Sequence, residues 1–195
     1  MSSLLRDRSE DGGRSPLSST LARELKGEKM IPVYGFSRVK DPVVGETRDL
    51  RAPWALEETG LPYRVHGLDY VEGDTKTGDN RRISPFSQLP VIDDDGFVIA
   101  ESGAIVLYIA EKAGVLIPAD LQGRSRVTQW CFTALNALEP TLLQIQIIEG
   151  GGEKATGVQR RPELAERREK NLRCWSSSCR VALTLQVKIL RSLTS

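Results

Sequence analysis

Histidine and cysteine are scarce in this sequence, which has one histidine, His66, and three cysteines, Cys131, Cys174 and Cys179, among 195 residues. The cysteines form no CxxC pair and none stands at zinc-ligand spacing from His66. No metal is therefore expected, and thiol chemistry is not expected to use the chain's own cysteines. Long apolar runs are also missing. No stretch approaches the roughly 18–20 residues of a spanning helix, and the N-terminus offers only Leu4 and Leu5 where a signal peptide needs a long apolar segment. No membrane partner is expected, and the expected location is cytoplasmic. An excess of charge is lacking too, because 27 Lys and Arg face 26 Asp and Glu. A net charge of +1 gives no electrostatic basis for holding nucleic acid. What is present is ordinary globular material, 39% hydrophobic and 27% charged, enough to build a core.

Residues 1–29 are rich in Ser, Arg, Gly and acids with no sustained apolar period, and they read as a disordered extension. Asp7, Glu10, Asp11, Glu24 and Glu28 are too acidic for a transit peptide. From Met30 the elements alternate. Ile31–Phe36 reads as a strand, Thr47–Thr59 as a helix closed by Gly60, and Pro62–Leu68 as a second strand. Leu89–Ile92 and Phe97–Ala100 are short apolar runs separated by Asp93-Asp94-Asp95-Gly96, a hairpin turn signal. A helix follows over Glu101–Ala113 and ends at Gly114. Such an order predicts a small α/β layer domain over residues 30–114.

Residues 115–123 read as a linker. In residues 124–173 the pattern turns helical, with Val127, Trp130, Cys131, Ala134, Leu135, Leu138 and Leu142 in one apolar stripe. A Glu149–Gly157 loop and a charged helix from about Pro162 complete the start of an all-helical second domain. The ending differs. Residues 174–195 contain no acid, and Val181, Leu183, Leu185, Val187 and Ile189 alternate at a strand's period. This atypical tail reads as foreign to the fold, as a frameshift or altered exon would produce; the other reading is a shielded C-terminal helix.

The segments VYGF (33–36), TRDLRAPWALEETGLPYR (47–64) and SPFSQLPVIDDDGFVIAESGAIVLYIAEK (84–112) resemble, in order and spacing, the N-terminal domain of glutathione S-transferases. The resemblance implies an α/β plus all-α chain. A thioredoxin-like domain, with a mixed four-stranded sheet and helices, would be followed by a partial helical domain, cut short here. It also implies glutathione as co-substrate, a small electrophile as second substrate and a homodimer. The implied activity is that of a glutathione transferase. The alternatives are a non-catalytic interaction or stress-response module of the same fold and a truncated inactive gene product.

The resemblance places the thiolate-stabilising hydroxyl on Thr47, a residue that by its own chemistry also suits a helix N-cap. Ser37 and Tyr34 are competing donors. No cysteine lies between residues 31 and 60, which disfavours the subclasses that form mixed disulfides with glutathione. Two features depart from the family pattern: a long stretch Ser37–Glu46, and Pro53 inside the helix, which predicts a kink there or a helix start later than Thr47. Leu89-Pro90 is expected to be cis, as the family's proline is, with the Leu89 backbone pairing to the cysteinyl unit as an added strand would. Ser102 suits the γ-glutamyl carboxylate and Glu101 the ammonium, although both positions also fit a plain helix start. Gln88 is assigned to the glycyl end. Trp54, Tyr108 and Trp130 are read as core residues.

Overall fold

Turn chemistry and apolar spacing account for most of the chain's elements. The structure, a computed structural model, describes residue 27 and residues 29–40, 47–151 and 157–178. Most of the expected extension over 1–29, and residues 179–195 of the expected tail, lie outside the described residues.

Strand β1 (Ile31–Arg38) alternates, with Ile31, Val33 and Gly35 buried beneath one face. A 3₁₀ turn (Arg48–Leu50) leads into helix α1 (Arg51–Thr59), whose apolar side is Ala52, Ala55 and Leu56. The helix thus starts later than Thr47, one of the two outcomes expected from Pro53. Pro53 stands in its first turn, where a backbone N–H would have no helical acceptor, so the missing donor costs little. Gly60 ends α1 in the left-handed conformation (φ 71°), which a side chain would strain. Strand β2 (Tyr63–Asp69) follows, then a short helix α2 (Gly78–Ile83) that has no apolar period to announce it. Strands β3 (Val91–Asp94) and β4 (Phe97–Ala100) form the expected hairpin, and helix α3 (Ser102–Ala113) lies behind it. The hairpin turns on Asp95 and Gly96, both at positive φ (62° and 84°), as a tight two-residue turn requires.

The sheet order is β2-β1-β3-β4, with β1 and β2 parallel and the other pairs antiparallel. Helices α1 and α3 pack on one face of it. Ile31, Val33 and Ile92 from the sheet, Ala52, Ala55 and Leu56 from α1, and Ile105, Val106 and Ile109 from α3 make one core. This is the expected thioredoxin-like layer arrangement. Trp54 and Tyr108 pack against the core, as their spacing predicts.

Asp94 ties the hairpin to α3. Its carboxylate accepts from the Tyr108 hydroxyl at 2.6 Å and pairs with Lys112 Nζ at 2.6 Å. Burial works to raise the Asp94 carboxyl, but the bonds from Lys112 and Tyr108 and the nearby positive charges outweigh it, and the group titrates below its ordinary range. A depressed carboxyl stabilises the fold above its unfolded pKa, and that contribution is lost as pH falls through the folded value. Asp94→Asn is therefore expected to destabilise the domain by about 1 kcal/mol at neutral pH. The gap between variant and wild type should close below about pH 4. Melting curves across pH check this; a gap that does not change with acidification would refute it.

The second region consists of α4 (Leu121–Thr133), a π turn (Ala134–Leu138), α5 (Glu139–Gly151) and α6 (Arg161–Ser178). The expected single stripe is broken at the π turn. Val127, Cys131, Ala134 and Leu138 are buried as expected, but beyond the turn the buried positions are Glu139, Thr141, Ile145 and Ile148, while Leu135, in the turn, and Leu142, beyond it, are half-buried. A π turn holds more residues than an α turn and rotates the helix beyond it, and Pro140 lacks the N–H that would bond the carbonyl of Asn136. Helix α6 runs through residue 174, at which the sequence places the start of an atypical tail. The reason is Trp175, which is 7% exposed and meets Trp130 edge-on, with ring centroids 5.1 Å apart. The aromatic pair, with Ala134 and Leu138, closes a second core. Among the described residues no helix is long and apolar enough to cross a membrane.

Candidate functional site

Strand register brings two strand ends together beside β1. In the antiparallel β1–β3 pair, Tyr34 stands opposite Val91, and in the β3–β4 pair Val91 stands opposite Ala100. The start of β3 and the end of β4 therefore coincide, beside the middle of β1. Leu89 and Pro90 precede Val91, and Glu101 and Ser102 follow Ala100. The Leu89–Pro90 bond is cis, as the resemblance implies, and both residues are buried. The expected strand over Leu89–Ile92 starts two residues late, at Val91.

The loop before this bond is shaped by a residue that sequence reasoning missed. Ser84 is 2% exposed, and its hydroxyl accepts from Gln88 N (2.9 Å) and donates to Gln88 O (2.8 Å). With Ser87 N bonded to Ser84 O at 2.8 Å, the loop closes on itself and leaves the Gln88 side chain exposed. Nothing marked Ser84 beforehand, since a serine five residues before Leu89 has no distinguishing pattern.

Glu101 is exposed and holds φ 71° and ψ 114°, uncommon for a residue with a side chain. Such strain, of order 1–3 kcal/mol, persists where surrounding structure imposes it, and it concentrates at functional positions. Here the β4 pairing on one side and the bond from Ile105 N to Glu101 O (3.0 Å) on the other impose it. Ser102 opens α3 and is buried, its Oγ accepting from Arg51 Nη1 at 3.0 Å.

Thr47 lies half-buried at the start of the 3₁₀ turn. Its side chain makes no capping hydrogen bond, contrary to the plain N-cap reading, because a 3₁₀ turn and not an α-helix follows it. Asp49, two residues on, fixes the turn against β1: Oδ2 accepts from Phe36 N at 2.8 Å, and a side chain at Gly35 would bring Cβ to 3.0 Å from that oxygen. The competing donors are placed differently. Ser37 is exposed at a break in the β1–β2 register, over Gly67, and Tyr34 stacks on His66 with centroids 5.4 Å apart.

An ionic cluster, buried at Arg51 and Glu139 and exposed at Arg48, joins the site to the helical region. Glu139, at the start of α5, pairs with Arg48 Nε through one oxygen and lies 3.1 Å from Arg51 Nη2 through the other. The side chains of Arg51 and Glu139 are 4% and 9% exposed. Two buried atoms here, Arg51 Nη2 and Asp49 Oδ1, have no aligned hydrogen-bond partner. Cys131 lies beneath Ser102's neighbour Gly103, its Sγ 3.9 Å from Gly103 O, and burial pushes the thiol pKa up, away from reactivity.

Residues 43–111 match the family model described as "Glutathione S-transferase, N-terminal domain". The chain is 38% identical over 96 residues to Disulfide-bond oxidoreductase YfcG of Escherichia coli, covering 46% of this chain and 45% of that one. Mouse Glutathione S-transferase theta-3 is 32% identical over 87 residues, covering 42% and 36%. The chain thus spans less than half the length of these relatives. Among solved structures, a Burkholderia graminis glutathione transferase, with two glutathione molecules bound per subunit, superposes with a TM-score of 0.65 at 25% identity, covering 83% of this chain and 68% of that one. A diazinon-metabolizing glutathione S-transferase of Bombyx mori gives 0.62 at 21%, covering 77% and 67%, a likeness of fold.

Proposed function

We propose, for a chain that belongs to the glutathione S-transferase family through its N-terminal domain, that it binds glutathione, stabilises its thiolate and adds it to a small electrophile. The observation that carries this reading is the register that gathers Leu89–Pro90, Glu101–Ser102 and the approach to α1 beside β1. Leu89 offers its backbone to the cysteinyl unit and Gln88 its exposed amide to the glycyl end. Glu101 faces the γ-glutamyl ammonium and Ser102 the carboxylate. Thr47, whose hydroxyl is not taken up in capping, donates to the sulfur. A free thiol near pKa 8.5 is only a few per cent ionised at neutral pH, and a charge-assisted bond at a helix start raises that fraction. The thiolate forms a C–S bond to the electrophile as the leaving group departs with the bonding pair. Residues 30–114 form the glutathione-binding part and residues from 124 a helical wall. The chain pairs as a homodimer and works in the cytoplasm, as the resemblance implies.

A second reading is supported by the likeness to the E. coli disulfide-bond oxidoreductase. The same thiolate would attack a disulfide sulfur, forming a glutathione mixed disulfide and releasing the other thiolate.

Glutathione calorimetry on the full chain, followed by conjugation to an activated aryl halide, tests the reading. Glu101→Ala is expected to weaken glutathione binding about tenfold, the effect of losing one charge-assisted bond. Turnover of a small disulfide with none of the halide would select the second reading. Folded protein that gives no binding heat would leave an interaction module as the function.

A further inference from the structure

On one side, the pairing of β1 stops at Tyr34, which stands opposite Val91, the first residue of β3. β1 itself runs on to Arg38, past the place where Leu89 and Pro90 lead into β3. A backbone N–H inside a fold needs an acceptor. Two residues beyond Tyr34 a side chain supplies it, because Asp49 Oδ2 accepts from Phe36 N at 2.8 Å. Gly35 leaves room for that carboxylate, since a Cβ there would stand 3.0 Å from the same oxygen. Asp49 is 5% exposed, and its other oxygen, Oδ1, is buried with no hydrogen-bond partner. Burying a carboxylate with one oxygen unpaired is costly. An apolar residue would avoid that cost but could not accept from Phe36 N. What the carboxylate adds is a fixed spacing between the 3₁₀ turn and β1.

Thr47 stands at the head of this turn, and its side chain caps nothing, so no capping bond fixes where the hydroxyl stands. The turn's own bond, from Leu50 N to Thr47 O, is long at 3.4 Å. Arg48 tethers the turn to Glu139, but through an exposed side chain, and exposed ion pairs restrain weakly. The Asp49 bond is short, buried and charge-assisted, which makes it the firmest of the three restraints.

Resting on the glutathione reading above, we propose that Asp49 is the positioning residue for the Thr47 hydroxyl. By tying the turn to Phe36 N, it sets the hydroxyl beside the stretch of β1 next to Leu89, where the cysteinyl unit pairs, so that donor and sulfur meet at bonding distance. The oxygens of Asp49 are spent on β1 or enclosed; it acts through Thr47 and is not a catalytic residue.

The test uses the full chain, with glutathione calorimetry, conjugation to an activated aryl halide and the ultraviolet absorbance of the bound thiolate. Asp49→Ala should lower conjugation tenfold or more, because a donor misplaced by about 1 Å forfeits up to about a hundredfold. The bound thiol should titrate higher in this variant, while glutathione Kd changes little. Asp49→Asn keeps an acceptor for Phe36 N and should stay within a few-fold of wild type. Asp49→Glu keeps the charge but is one methylene too long, and it should lose rate as Asp49→Ala does. If Asp49→Ala does not fold, the Asn and Glu variants carry the comparison. The double variant Thr47→Ala/Asp49→Ala should be no slower than Thr47→Ala, because the two residues act as one unit. A smaller fall in Asp49→Ala, an equal loss of affinity and rate, an Asn variant as slow as the Glu variant, or a double variant slower than Thr47→Ala would overturn the proposal. Wild type that binds no glutathione, or Thr47→Ala that turns over as wild type does, would instead sink the reading on which it rests.

Discussion

Glu139→Ala is expected to destabilise the protein by about 3 kcal/mol, as removal of one partner from a buried ion pair does. Glu139 is buried between Arg48 and Arg51, which belong to the sheet domain, and it opens the helix α5 of the second region. Taking the carboxylate away leaves the Arg51 guanidinium in a place where water cannot replace it. Its bond to Ser102 remains and accounts for one of its donors, which sets the estimate at the lower end of the range. For a chain of this size the loss corresponds to a fall in Tm of roughly 6–12 °C. The double variant Arg51→Met/Glu139→Leu should recover most of the stability, because replacing both charges with apolar groups removes the unpaired cation. Thermal and urea denaturation of the three proteins check this. A Glu139→Ala chain within about 1 kcal/mol of wild type would show that the cluster is well solvated and contributes little.

Loss of the Thr47 hydroxyl should be felt in rate and not in affinity. Thr47→Ala is expected to lower conjugation by about a hundredfold, the effect of removing one aligned donor to a reacting anion, while glutathione Kd changes little. The bound thiol should titrate higher in this variant, readable as thiolate absorbance in the ultraviolet. Thr47→Ser keeps the oxygen and should stay within a few-fold of wild type. The reason is structural. Thr47 begins a 3₁₀ turn anchored by Asp49 to Phe36 N, and its own side chain makes no cap. Unchanged turnover in Thr47→Ala would move the donor role to another group, with Ser37 the next to test by the same substitution.

Much of the first domain is legible because its signals are local. Gly60 and Gly114 both adopt the left-handed conformation that ends a helix, and Asp95-Gly96 makes the tight turn that joins β3 to β4. Each requires a backbone geometry that few residues tolerate, so composition reveals it. Pro53 shows how far such local reasoning reaches. It announces either a kink or a helix that starts late, and which of the two occurs depends on the 3₁₀ turn that Asp49 anchors. Helix α2 escapes notice because GDNRRI carries no apolar stripe. The π turn escapes too, and it shifts the buried positions that an unbroken stripe would assign to Leu135 and Leu142.

The candidate site divides in the same way. Leu89-Pro90 and Glu101-Ser102 stand out as short motifs at fixed spacing, and β-sheet register then brings them together. Arg51 and Glu139 do not stand out. The Arg51–Ser102 bond joins residues 51 apart in the chain, and the Arg48–Glu139 pair joins residues 91 apart. Charged residues are common on solvated faces, and nothing in a linear pattern separates a buried one from those.

By itself, the sequence determined the order of the four strands and of the helices other than α2, the glycine turns between them and the motifs beside the sheet, because those depend on backbone conformations that individual residues permit or forbid. Tertiary packing alone decided that Trp175 belongs to the second core, that Thr47 does not cap, and that Arg51 lies buried between Ser102 and Glu139. Burial and partnership are properties of distant segments meeting, and no residue carries them until the chain has folded.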